Sequence, residues 1–246
     1  MTTPAGRPRS RGEGTPTTLS KREVRQLYRQ RRRELAGALE ASGDREAAGR
    51  RIAEQVLALL PESPAGGALR VAAYESTPDE PPTGPLITAL VDAGHEVIVP
   101  ITLEDLSLEW RVATPGTVGD ESTTTRAPLP ADARTLGADA LGSCDLIITP
   151  GLTVDPHGVR LGQGGGCYDR ALVHRDPTTP AITLLHEGEQ SIDPLPRAAH
   201  DQLVDGYLTT SGRLVRVDRV DRVEGADSAD SAASADTATR SPRAKG

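Results

Sequence analysis

The sequence predicts an α/β protein of three layers, α/β/α, with a mostly parallel central sheet. Two observations carry this. Short uninterrupted apolar runs, "LRVAAY", "HEVIVPI", "CDLIITP" and "AITLLH", recur along the chain, and a strand that is apolar on both faces must be covered from both sides. Segments of helical spacing lie between them, so strand and helix alternate as they do when parallel strands are joined by crossover helices.

The elements follow in chain order. Ser20 and Glu23 have capping-box spacing at the start of "SKREVRQLYRQRRREL", where Val24, Leu27, Tyr28 and Leu35 recur at helical intervals. A second helix covers "DREAAGRRIAEQVLALL" and stops at Pro61. After the first strand, "PLITALVDAG" reads as a helix closed by Gly94, and "HEVIVPI" is the next strand. "LEWRVA" and "LVDGYLTTSGRLVRV" read as further strands, whereas residues 114–140 give no assignable pattern. Both ends of the chain are poor in large apolar residues, as in "EGADSADSAASADTATRSPRAKG", and cannot bury enough surface to offset the entropy of ordering. Residues 1–18 and 219–246 are therefore expected to be disordered tails around one domain spanning residues 19–218.

Composition narrows the function. A formal net charge of −7 over 246 residues repels polyanions, which argues against general binding to nucleic acid or to an acidic membrane. Cys144 and Cys167 are too few and too far apart for a disulfide framework or a Cys-x-x-Cys metal site, in keeping with a reducing compartment. No secretory signal is recognisable, and no stretch approaches the roughly 18 apolar residues that span a bilayer. A cytoplasmic protein, monomeric and without nucleic-acid or membrane partners, is the expectation.

In a sheet of this kind ligands gather beyond the carboxyl ends of strands. Two stretches fall there: "ESTPDEPPT" after Tyr74, and "GLTVDPHGVRLGQGGGCYDR" after Pro150, which packs four glycines into positions 162–166. The second is no Walker loop, since it ends in "GGGCY" where Gly-Lys-Ser/Thr is needed, and it is no dinucleotide fingerprint, since Cys167 stands where a third small residue belongs. Consecutive glycines nevertheless let backbone N–H groups turn inward as an anion nest, and the following "CYDRALVHR" adds the positive end of a helix. Arg160 can pair with a phosphate in a fork, and Asp169 can offer an oxygen to a divalent cation. The alternative readings are a mobile turn for the glycines and a partner of the helix dipole for Asp169, while His157 reads as a turn residue rather than a catalytic base.

The block "DLIITPGLTVDPHGVRLGQGGGCYDRAL" resembles the signature of the 5-formyltetrahydrofolate cyclo-ligase, or methenyltetrahydrofolate synthetase, family. Other motifs arrive in that family's order: Lys21 and Arg25 as a Lys-x-x-x-Arg helix start, Ser76, Glu80 and Thr83 as Ser-x-x-x-Glu-x-x-Thr, and His200 with Asp201 near the last strand. The resemblance runs over residues 21–208. It implies an enzyme that uses ATP and magnesium to convert 5-formyltetrahydrofolate, a reduced folate, to 5,10-methenyltetrahydrofolate by phosphorylating the formyl oxygen.

Residue by residue, the resemblance implies ATP binding by Lys21, Arg25, Arg160, Leu161, Gly162, Gln163, Gly164, Gly165, Gly166, Cys167 and Tyr168, with Arg160 and Tyr168 also catalytic. It implies substrate binding by Glu75 and Glu80 together with Gln163, Gly164, Gly165, Gly166 and Cys167, and magnesium binding by Asp169 and Asp201. A carboxylate at Glu80 can accept from pterin N–H groups, and Tyr168 either lines the folate site or donates to the formyl oxygen. The remaining cations of the first helix, Arg22, Arg29 and Arg31 to Arg33, are expected on a solvated face.

Val154, Gln163 and Cys167 depart from the family pattern and remove aromatic or cationic surface, leaving Tyr74, Trp110 and Tyr168 as candidates for stacking. A non-catalytic nucleotide- or folate-binding relative stays open as an alternative. So does a phosphosugar or coenzyme-A enzyme of similar architecture.

Overall fold

The computed structural model describes residues 19–63, 66–113 and 135–217. The two predicted tails, and most of the stretch for which no pattern was assignable, lie outside these residues. The seven-stranded sheet has the order β3-β2-β1-β4-β7-β8-β9, with β1 at Arg70–Ala72, β2 at Glu96–Thr102, β3 at Leu108–Val112, β4 at Leu146–Pro150, β7 at Ala181–Leu185, β8 at Gly206–Thr209 and β9 at Leu214–Arg216. The strands from β2 to β8 in that order run parallel, and only the edge strands β3 and β9 are antiparallel to their neighbours.

Side-chain alternation divides the core as the apolar runs require. Val71, Val97, Ile148 and Ile182 meet Ile52 and Val56 of helix α2 (Arg45–Leu59) and Leu86 and Leu90 of helix α3 (Gly84–Asp92). Ala72, Ile98, Ile147 and Leu185 face the other way, onto Leu141, Leu172, Ala171 and Trp110. That second layer is thin, built from two short 3-10 helices, Ala138–Ser143 and Leu172–His174, and helix α4 (Cys167–Ala171). The helix predicted after the glycines is thus one short α segment that tightens into a 3-10 turn.

Helix α1 (Lys21–Ala41) begins as the capping box demands: the Glu23 amide donates to Ser20 Oγ at 3.4 Å, and the Ser20 amide donates to Glu23 Oε2 at 2.8 Å. It crosses the carboxyl ends of the strands, where Val24 packs on Val159, Leu161 and Leu195. The connection after β4 contains a two-stranded ribbon not expected from the sequence, β5 (Thr153–Val154) with β6 (Arg160–Leu161). Buried Asp155 organises it by accepting from the amides of His157, Val159 and Leu195 at 2.8–2.9 Å. His157 lies in the turn, as read from the sequence.

From β1 the chain moves outward to β2, and from β4 it moves the opposite way to β7. The crevice beyond β1 and β4 is therefore the point where strand order reverses, where open α/β sheets take their ligands. Ile148 lies fully buried in central strand β4. Ile148→Ala should lower the unfolding free energy by about 2–5 kcal/mol, read as a lower urea midpoint with an unchanged slope.

Candidate active site

One cavity of about 420 Å³ opens at this reversal point. It gathers every residue assigned from the sequence to nucleotide, folate or metal: Lys21 and Arg25 from α1, Glu75 and Glu80 from the loop after β1, the whole segment from Arg160 to Asp169, and Asp201. Arg32, Pro100, Thr102 and Leu108 line it as well.

The glycine loop is fastened by its carbonyls. Arg25 Nε donates to the Gly162 carbonyl at 3.1 Å, and Arg29 donates to both the side-chain and main-chain oxygens of Gln163. Among the described residues the amides of Gly162 to Gly166 have no hydrogen-bond partner, so the segment keeps a run of donors for an anion. Gly164 (φ +112°) and Gly166 (φ +69°) occupy backbone conformations that side chains disfavour, and a Cβ at Gly164 would come into contact with the Arg25 side chain at 3.6 Å. Arg29, exposed as its place in the basic run predicts, is thus also a loop clamp.

At the root of the loop Arg160 is buried, donating to the Pro150 carbonyl and to Asp169 Oδ1, both at 3.1 Å. Its guanidinium carbon lies 5.6 Å from the centroid of the Tyr168 ring, a cation–π distance. Asp169 Oδ1 also accepts from the amide of Gln202 at 3.3 Å, which sets Asp169 next to Asp201. Lys21 pairs with Asp201 Oδ2. Burial opposes the charge of Asp201, but the bond from the Ala198 amide and the contact with Lys21 prevail and hold its carboxyl below the ordinary range. No group of three His, Cys, Asp or Glu able to enclose a metal occurs among the described residues. Asp169 and Asp201 both line the cavity, and two carboxylates suit an ion that keeps water and phosphate oxygens as its other ligands.

Across the cavity the loop after β1 is stapled to itself. The Ser76 amide donates to Thr83 Oγ1 at 3.0 Å, the Thr83 amide donates to Ser76 Oγ at 3.2 Å, and Glu80 Oε2 accepts from the Thr77 amide at 3.0 Å. The spacing of Ser76, Glu80 and Thr83 is that of a closed loop. Arg111 from β3 grips Glu75 through both carboxylate oxygens at 2.8 and 2.9 Å. His186 Nε2 meets the Asp79 carbonyl at 3.0 Å, and burial lowers its pKa below the ordinary 6.5.

Two expectations are corrected. Arg32 is not solvated: its side chain is 3% exposed and grips fully buried Glu189 through two nitrogens at 2.8 Å, while Nη2 also reaches the Gly151 carbonyl. Arg29 is exposed, as expected, and from there it holds Gln163. Trp110 is fully buried in the core and meets Tyr168 edge-on, ring centroids 6.3 Å apart, so it supports the cavity wall and offers no stacking surface.

A sequence profile of the 5-formyltetrahydrofolate cyclo-ligase family matches residues 17–210, most of the chain. The chain belongs to the 5-formyltetrahydrofolate cyclo-ligase family. Within this family it is 33% identical over 150 residues to the 5-formyltetrahydrofolate cyclo-ligase of Mycolicibacterium smegmatis, a match covering 59% of this chain and 75% of the relative. Its fold is shared with the 5,10-methenyltetrahydrofolate synthetases of Aquifex aeolicus (TM-score 0.58, 24% identity, 83% of this chain and 96% of that one) and Mycoplasma pneumoniae (TM-score 0.56, 17% identity, 76% and 96%). No helix among the described residues is long and apolar enough to cross a membrane.

Arg32→Leu should cost about 3–5 kcal/mol of stability because it strands the buried Glu189 charge. Chemical denaturation measures this, and adding Glu189→Leu should restore much of the loss. His186 contributes stability that is present above about pH 6.5 and lost as the pH falls through its depressed folded value. Thermal midpoints should therefore drop between pH 7 and 5.5 in the wild type and drop less in His186→Gln; equal slopes would assign the effect to another group.

Proposed function

We propose that this protein is an ATP-dependent 5-formyltetrahydrofolate cyclo-ligase that releases ADP and phosphate. The observation that carries the reading is the meeting, in one cavity, of a cation-clamped loop of unpaired amides with a stapled acidic loop. The formyl oxygen attacks the γ-phosphorus of ATP and ADP departs. N10 then bonds to the formyl carbon, the carbon–oxygen bond breaks with phosphate as leaving group, and the N10 proton goes to solvent. A formyl oxygen is a poor leaving group until it is phosphorylated, which is what ATP supplies.

The protein's share is positioning and charge stabilisation, as in phosphoryl transfer generally. Lys21, Arg25 and the amides from Gly162 to Gly166 receive the phosphates. Arg160 adds fixed positive charge beneath them, where negative charge develops on the transferred group. Glu80 accepts from the pterin N–H groups, and Tyr168 forms the wall between the two substrates. Asp169 and Asp201 would hold magnesium, which when bound neutralises phosphate charge. The net charge of −7 and the two cysteines support small-molecule substrates and a reducing cytoplasm.

An assay following the methenyl chromophore tests the reading: product should require ATP, magnesium and 5-formyltetrahydrofolate together, and folded protein that forms none would refute it. Asp169→Asn keeps an oxygen for Arg160 but removes the charge. It should lower turnover by roughly a hundredfold with little change in thermal midpoint, and a parallel collapse of both would make Asp169 a structural residue.

A further inference from the structure

Tyr74 sits just past the end of β1, 3% exposed, with its carbonyl held by Thr83 Oγ1 at 2.6 Å. Its hydroxyl is buried and has no hydrogen-bond partner, and the same is true of the Tyr168 hydroxyl. Both residues line the cavity. Buried hydroxyls in folded proteins are normally paired, so two orphans on one cavity wall point to partners that arrive with a ligand. Burial, helped by the field of Glu80, pushes both phenols well above their ordinary pKa, so each keeps its proton to donate.

The charges of the cavity say which ligand. Lys21, Arg25 and Arg160 surround the glycine loop, whereas the loop beside Tyr74 presents the carboxylates Glu75 and Glu80. A triphosphate is repelled from the acidic end. An uncharged heterocycle with N–H groups for a carboxylate and a carbonyl or ring nitrogen for a phenol suits it, and a 2-amino-4-oxo pterin has that alternation.

We propose that Tyr74 is a substrate-recognition residue, whose hydroxyl donates to a pterin acceptor atom while Glu80 receives the neighbouring pterin N–H. The assignment rests on the cyclo-ligase reading for the identity of the ligand. It separates Tyr74 from Tyr168, whose ring also contacts Arg160 and whose loss reaches both substrates.

The test is Tyr74→Phe in the full chain. The KM for 5-formyltetrahydrofolate should rise about tenfold, the loss of one hydrogen bond to a ligand, with the KM for ATP held within about twofold. Calorimetric titration with 5-formyltetrahydrofolate should show the same weakening in Kd. An unchanged folate constant, or a shift confined to ATP, overturns the proposal. Because the hydroxyl has no protein partner, the thermal midpoint should hold or rise, and a clear fall would reveal a structural role and likewise overturn it. If the wild type forms no methenyl product, the cyclo-ligase reading fails, and the titration still decides Tyr74: weaker binding by the variant upholds it, while equal binding, or none by the wild type, does not.

Discussion

Helix α1 is held on the protein by its cations more than by apolar packing, and the cavity exists because of that. Its buried residues are only Val24, Arg32 and Ala36. Its other attachments are Lys21 to Asp201, Arg25 and Arg29 to the glycine-loop carbonyls, and Arg32 to Glu189 and the Gly151 carbonyl. An aliphatic ridge would have pressed the helix onto the strand ends and filled the crevice. Long guanidinium side chains span the gap and fix the loop by its acceptors, so its donors stay unspent. Arg32 is the deepest of these anchors, and its desolvation is tolerable only because Glu189 receives it in two places.

The charges lining the cavity are paired at both ends. Lys21 and Arg160 meet Asp201 and Asp169 where α1 joins the glycine loop, and Glu75, held by Arg111, and Glu80 lie on the loop after β1, which Thr83, Arg45 and His186 brace from behind. Tyr168 stands at the boundary, backed by Trp110 and faced by Arg160.

Much of this was legible in the sequence because it depends on local pattern. The apolar runs of β1, β2, β4 and β7 are continuous since both faces are covered, and the capping box of Ser20 and Glu23 is a contact within four residues. The glycine loop announced itself by composition, and all of its assigned neighbours line one cavity. What escaped is what depends on distant partners. Arg32 looks like its neighbours in a basic run, and only Glu189, 157 residues away, makes it a buried anchor. Trp110 looked like a stacking surface because a strand pattern does not say which tryptophan faces a ligand and which is sealed in. The ribbon of β5 and β6 has two residues per strand, too few for any periodicity to show.

The ion pair between Lys21 and Asp201 joins positions 180 residues apart, so the glycine-loop end of the cavity is closed by α1 and by a loop far along the chain. A nascent chain emerging in order holds its glycine loop without the far wall until nearly all of the sheet has been made. A chain that ends before residue 201 lacks Asp201, and with it the partner that fixes Lys21 at that wall.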